Sequence, residues 1–148
     1  MWKEFFKQVK EDEGTEKGAS LFQVLSYDRK VKDKFGVGLP KAYKEFLRLS
    51  NGMMYNGHNI YGIRGEDESY MDMLQQTEFF GSEDWAEKYL FFGDSDMDMY
   101  VYDTENKTYE VQDTGGETWE SFDTCEELLE YILKSSLDLL ENDEDEEE

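Results

Sequence analysis

Trp2, Phe5, Phe6 and Val9 recur at the i, i+3, i+4, i+7 spacing of one helix face, and Gly14 and Gly18 close that stretch. The stripe predicts a short first helix whose aromatics belong to the core. Ser20 followed by Gln23 has the form of a capping box, so a second helix starts there. Leu21, Val24, Leu25, Val31 and Phe35 share much of one face of it, and Arg29, Lys30, Lys32 and Lys34 lie on the other, a solvated or contact face. The only proline, Pro40, precedes Tyr43, Phe46 and Leu47 and fits the first position of a third helix, where a missing N–H costs nothing. Asn51-Gly52 ends that helix, with the glycine supplying a left-handed conformation, and Met53 to Gly57 is too polar and glycine-rich to continue it.

Beyond residue 57 the pattern changes to short strands. Asn59 to Ile63 is a strand candidate, Arg64 to Ser69 reads as an acidic loop, and Tyr70 to Phe80 is only loosely periodic. Glu83 to Glu87 has room for one helical turn. Leu90-Phe91-Phe92 is a continuous apolar run of buried-strand type, stopped by Gly93. Met97, Met99 and Val101 then alternate with Asp98, Tyr100 and Tyr102, which predicts a half-buried strand with the apolar set inward and the polar-aromatic set outward. Turns at Asp103 to Asn106 and at Thr114-Gly115-Gly116 lead into strands Thr108 to Gln112 and Thr118 to Phe122, giving a meander. Asp123 or Thr124 caps a closing helix, with Glu126 and Glu127 in its first turn and Leu128, Leu129, Ile132, Leu133, Leu137 and Leu140 as its stripe. The expected fold is a single α+β domain over residues 1–140, an antiparallel twisted sheet covered on one face by helices and partly wet on the other.

At 148 residues with 38% hydrophobic content, the chain has enough to bury one real core and too little for two full domains. Charge changes the picture more. Fifteen basic residues against 37 acidic ones leave −22, a repulsive field for any phosphate backbone, so direct nucleic-acid binding is a poor expectation. The charge is uneven: residues 1–52 hold 11 basic and 8 acidic side chains, net +3, whereas residues 53–148 hold the other 4 and 29, net −25. Seven of those acids fall in Glu141 to Glu148, a stretch with no apolar residue that reads as a disordered, solubilising tail. No apolar run approaches the ~18 residues that span a bilayer, and the start Met1-Trp2-Lys3-Glu4-Phe5-Phe6 lacks a signal-peptide core, so a cytoplasmic protein is expected. The single cysteine, Cys125, has no internal disulfide partner.

Candidate chemistry is sparse. His58 is the only histidine, so no His-based triad or metal cluster assembles around it beyond a Cys125–His58 pairing, and packed, non-catalytic roles for both suit the pattern better. No phosphate-binding glycine motif occurs, and no cofactor is expected. Asp94-Ser95-Asp96-Met97-Asp98 copies the first, third and fifth positions of a calcium-binding EF-hand loop, with Glu105 at the twelfth. Met99 stands where that loop needs glycine, however, and strands flank it where helices are required, so no metal site is assigned. Asn106-Lys107-Thr108 fits a glycosylation acceptor but reads as a hairpin turn. What remains is a surface. Asp98, Tyr100, Tyr102, Glu110 and Glu120 fall on the expected open face, with Asp94, Asp96, Asp103 and Asp113 along its edges. Aromatic anchors in a single-sign field suit docking of a basic protein.

The order of several segments resembles the SUKH superfamily. Leu39-Pro40-Lys41-Ala42-Tyr43-Lys44-Glu45-Phe46-Leu47 with Ser50-Asn51-Gly52 is similar to that family's leucine-proline helix ending in asparagine-glycine. Phe91-Phe92-Gly93-Asp94 followed by Tyr100-Val101-Tyr102-Asp103-Thr104 resembles its central strand pair. Trp119-Glu120-Ser121-Phe122 leading into Cys125-Glu126-Glu127-Leu128-Leu129 resembles its closing strand and helix. The likeness covers roughly residues 20 to 135. It implies a non-catalytic immunity protein of bacterial polymorphic toxin systems, bound to a cognate toxin such as a basic nuclease domain. A regulatory scaffold that binds cellular proteins is the alternative it implies, and a carboxylate-metal hydrolase is a third, weaker reading of the residues.

Overall fold

The computed structural model describes residues 1–12, 14–82 and 86–139. Six strands form one antiparallel sheet in sequence order: β1 (Met53–Tyr55), β2 (His58–Ile60), β3 (Tyr89–Asp94), β4 (Asp98–Asp103), β5 (Thr108–Asp113) and β6 (Thr118–Phe122). Among the described residues five α-helices accompany it: α1 (Trp2–Glu11), α2 (Leu21–Phe35), α3 (Lys41–Leu49), α4 (Met73–Phe80), preceded by a 3-10 segment at Glu66–Met71, and α5 (Cys125–Ser136). The result is an α+β domain. The acidic tail at 141–148 and Leu140 of the closing stripe lie outside the described residues, as does most of the turn expected at Glu83 to Glu87.

Short turns made by acid side chains set the meander. Asp103 accepts hydrogen bonds from the backbone N–H groups of Glu105 and Asn106, and Lys107 takes a left-handed φ of 61° to complete the β4–β5 turn. Asp113 accepts from the N–H groups of Gly115 and Glu117 in the β5–β6 turn, closed by Gly116 at φ 91°. These are Asx-type turns, in which a short side chain imitates a backbone acceptor.

Ring contacts show which side of the sheet each strand residue occupies. Tyr43 of α3 meets Phe92 edge-on at 4.8 Å, Tyr102 lies 4.6 Å from Tyr109, and Tyr131 of α5 lies 5.5 Å from Phe122. Phe91, next along β3, stacks at 5.0 Å on Phe80 of α4 instead. Asp98, Tyr100 and Tyr102 therefore point to the α3–α5 side, and Met99 and Val101 to the reverse side. The expectation for β4 holds for Met99 and Val101, which are buried, and fails for Tyr100, fully buried on the α3–α5 side, and for Met97, exposed in the turn before the strand. Because both sides of β4 are covered, alternation located the strand without telling inside from outside.

The helix-initiation signals hold locally, with shifts. Ser20 and Gln23 form the reciprocal capping box. Pro40 is the N-cap of α3, in extended conformation (φ −60°, ψ 148°), one position before the expected one. Its carbonyl accepts from Lys44, so the missing N–H again costs nothing. Ser50, extended, closes α3, and Gly52 takes its positive φ of 102° two residues later, where β1 begins.

The buried face of α2 is Val24, Tyr27, Asp28 and Val31, whereas Leu21 and Leu25 are 56% and 51% exposed, against expectation. Polar groups take the inner face because they are satisfied there. Asp28 accepts from the Leu39 N–H at 2.6 Å, and the Tyr27 hydroxyl donates to Asp72 while accepting from the Leu74 N–H. Gly93 does not stop β3. A Cβ at that position would run into the Asn59 carbonyl, so glycine is what lets β2 pair there.

Candidate functional site

At the β6 end of the sheet the chain builds an exposed aromatic-acidic cluster. Val111 pairs with Glu120 and Gln112 with Thr118, so Trp119 is the extra residue of a β-bulge. Thrown out of register, its indole is 53% exposed, donates from Nε1 to Asp98 Oδ1 at 3.2 Å and sits edge-on to Tyr131 at 6.1 Å. Beside it, Glu120, Phe122, Glu127, Glu130, Tyr131 and Lys134 line a groove of about 280 Å³ between β6 and α5. Lys134 is held by Glu130 at 3.2 Å and lies over the Phe5 ring, and Glu127 completes the α5 capping box with Thr124. The Glu120 carboxylate has no ion pair or hydrogen bond among the described residues.

The electrostatics of this corner are those of an undercompensated anionic surface. Burial pushes the Asp98 carboxyl above its usual range, against the opposing effects of the Trp119 indole, His58 and Ser95, and Asp113 stands directly across the strands from it. His58 Nδ1 lies 2.9 Å from the Tyr100 hydroxyl, and burial lowers its pKa although Asp98, Asp138 and Asp96 pull it upward.

The nine residues expected to make one open face separate into three groups. Tyr100, Asp103 and Glu110 are buried. Asp103, 1% exposed, binds its turn and Lys88 at 3.2 Å; Glu110 accepts from the hydroxyls of Thr108 and Thr118 and from the Gln112 amide. Asp94 and Asp113 are half-buried and engaged, Asp94 by Asn59 and the Tyr61 hydroxyl, Asp113 by its turn. Asp96 and Glu120 are exposed, and Asp98 and Tyr102 are half-buried on the helix side. The structure thus brings Asp98 and Glu120 together with Trp119, Phe122, Tyr131, Glu127 and Glu130, which sequence reasoning did not select. Their signal was weak, since a bulge leaves no mark on a strand pattern and the groove joins two elements.

The family profile described as SMI1/KNR4 (SUKH-1) matches residues 29–142. The chain belongs to this family. No curated protein matches it significantly. The segments that carried the resemblance take adjoining places in this SUKH-1 domain: α3 supplies Tyr43 to the core over β3, β3 and β4 are paired, and β6 leads directly into α5.

Other chemistry in the SUKH-1 chain is dispersed. Asp94 and Asp98 of the calcium-like run point to opposite sides of the sheet, and among the described residues no group of three His, Cys, Asp or Glu side chains is placed to hold a metal ion. Cys125 is buried at the start of α5, and that burial pushes its thiol well above the usual range, away from the reactive thiolate. No described helix is long and apolar enough to cross a membrane.

Proposed function

We propose that this SUKH-1 protein is an immunity protein that binds a cognate toxin domain, of basic nuclease type, through the acidic aromatic corner formed by β4, β6 and α5. Family membership carries the reading, because SUKH proteins are generally immunity proteins of toxin systems and generally non-catalytic. The surface chemistry supports it. A nuclease active site is built to attract phosphate, and Asp98 and Glu120 beside the exposed Trp119, with Asp96 exposed in the β3–β4 turn, offer it carboxylates and an aromatic anchor instead. Inhibition then needs occlusion alone. On the same reading the protein works in the cytoplasm, residues 1–140 fold as one unit, and the tail at 141–148 keeps it soluble.

The test is a low-salt pull-down from the source cells with the tagged full chain, followed by salt elution and mass spectrometry. A near-stoichiometric toxin domain, lethal when expressed alone and harmless beside this protein, is the expected result. Several unrelated proteins in small amounts would point to an adaptor and overturn the proposal.

A further inference from the structure

β6 is the last strand of the sheet, and among the described residues nothing pairs with its outer edge. The opposite edge differs, for Thr15 bridges to Met53 of β1. An unpaired edge presents a row of N–H and C=O groups to any extended chain, and proteins commonly blunt it with Lys, Pro, charge or a bulge. Thr118-Trp119-Glu120-Ser121-Phe122 contains neither Lys nor Pro, and its bulge at Trp119 leaves Glu120 to Phe122 in regular register with β5.

The edge also borders the groove against α5, which has Phe122 and Tyr131 as its rings. Of its acids, Glu130 is paired with Lys134 and the N-terminal amine and Glu127 with the Thr124 cap, which leaves the Glu120 carboxylate as the one without a partner among the described residues. A strand laid along β6 sends every second side chain to that side. The groove suits a side chain with an aliphatic stem for the rings and a cationic head for Glu120, which means Lys or Arg. A second copy of this chain is a poor occupant, since it carries the same acids on its own β6 and a net charge of −22.

We propose that β6 accepts an extended basic segment of the protein partner as a seventh strand, with alternate Lys or Arg side chains seated in the β6–α5 groove. This rests on the partner-binding reading above and adds its mode: main-chain hydrogen bonds supply affinity, and the groove selects the side chains.

The probe is a capped peptide alternating Lys and Val, with a twin methylated on every backbone nitrogen that keeps every charge but has no N–H left to donate along either edge of a strand. Binding of each to the full chain is measured by calorimetry, and amide exchange by NMR. The expected result is slowed exchange within Thr118–Phe122 and about tenfold or greater loss of affinity for the twin. Glu120→Lys should weaken the parent peptide, whereas Glu120→Gln should weaken it less. Equal affinity of the two peptides, or protection away from β6, would overturn strand addition. The outcome is separable from the immunity reading. A toxin recovered by pull-down with no β6 protection removes only this mode of binding, whereas strand pairing with no toxin recovered removes only the immunity role.

Discussion

Asp98 and Asp103 begin and end the same strand and have opposite fates. Burial pushes the Asp103 carboxyl up, but the Asn106 and Glu105 N–H groups, the Lys88 ammonium and the Asn106 amide outweigh it and hold the pKa below the ordinary range. For Asp98, burial outweighs its donors and holds the pKa above. The signs of their contributions follow by linkage. Asp103 stabilises the fold fully above the unfolded carboxyl value of about 3.9, and that contribution is lost as pH falls through its lower folded pKa. Asp98 favours the fold below about 3.9, and that contribution is lost as pH rises through its raised folded pKa. Urea denaturation across the acid range should therefore show Asp103→Asn less stable than the parent at neutral pH with a shallower acid decline, and Asp98→Asn at least as stable as the parent. Equal curves for the two variants would contradict this assignment. Phe46, fully buried against Trp2 at 6.2 Å and Phe6 at 5.7 Å, is the apolar counterpart. Phe46→Ala should cost about 3–5 kcal/mol in the same experiment, and a loss below about 1 kcal/mol would mean that the ring is not in the core.

At the scale of elements, helix starts and turns were legible because the bonds that make them span only a few residues. Ser20 with Gln23 and Thr124 with Glu127 both form reciprocal capping boxes, and Asp103 and Asp113 organise the turns that follow them. Thr124→Ala should lower stability by about 1 kcal/mol, read as a shift in denaturation midpoint without a change in slope; no shift would show the cap to be dispensable. Less legible were elements stabilised from outside. α4 is held by Asp72, whose carboxylate caps it from Gln75 and also takes the Tyr27 hydroxyl from α2, and its weak periodicity carries no sign of this. β1 is three residues, paired with β2 on one side and bridged to Thr15 on the other.

At the scale of the molecule, charge is segregated along the chain, although the fold brings the two parts into contact where α5 packs on α1 and Glu130 meets the N-terminus. α1 to α3 come from the mildly basic first third, whereas the exposed acids of the β3–β4 turn, β6 and α5 belong to the part with a net charge of −25. Such a surface accelerates encounter with a basic partner and loses that advantage as salt screens it. Asp96→Lys with Glu120→Lys, two exposed positions, should slow association with the toxin recovered by pull-down roughly tenfold at low salt and reduce the salt dependence, with circular dichroism unchanged. An unaltered rate and salt slope would move the interface to another part of the surface.

Read along the chain, short-range periodicity, local capping and simple counting yield the order and type of most elements, the α+β class and the sign of the field, while the family is carried by the matched segments within residues 29–142. Only the tertiary structure decided that Tyr100, Asp103 and Glu110 are buried, that Leu21 and Leu25 are exposed on α2, and that Trp119 is lifted by a bulge onto Asp98 and Tyr131. Burial of a strand residue depends on what packs across the sheet, and β4 has cover on both sides. A groove between β6 and α5 exists only once the two elements meet, so the residues that line it share no pattern along the chain.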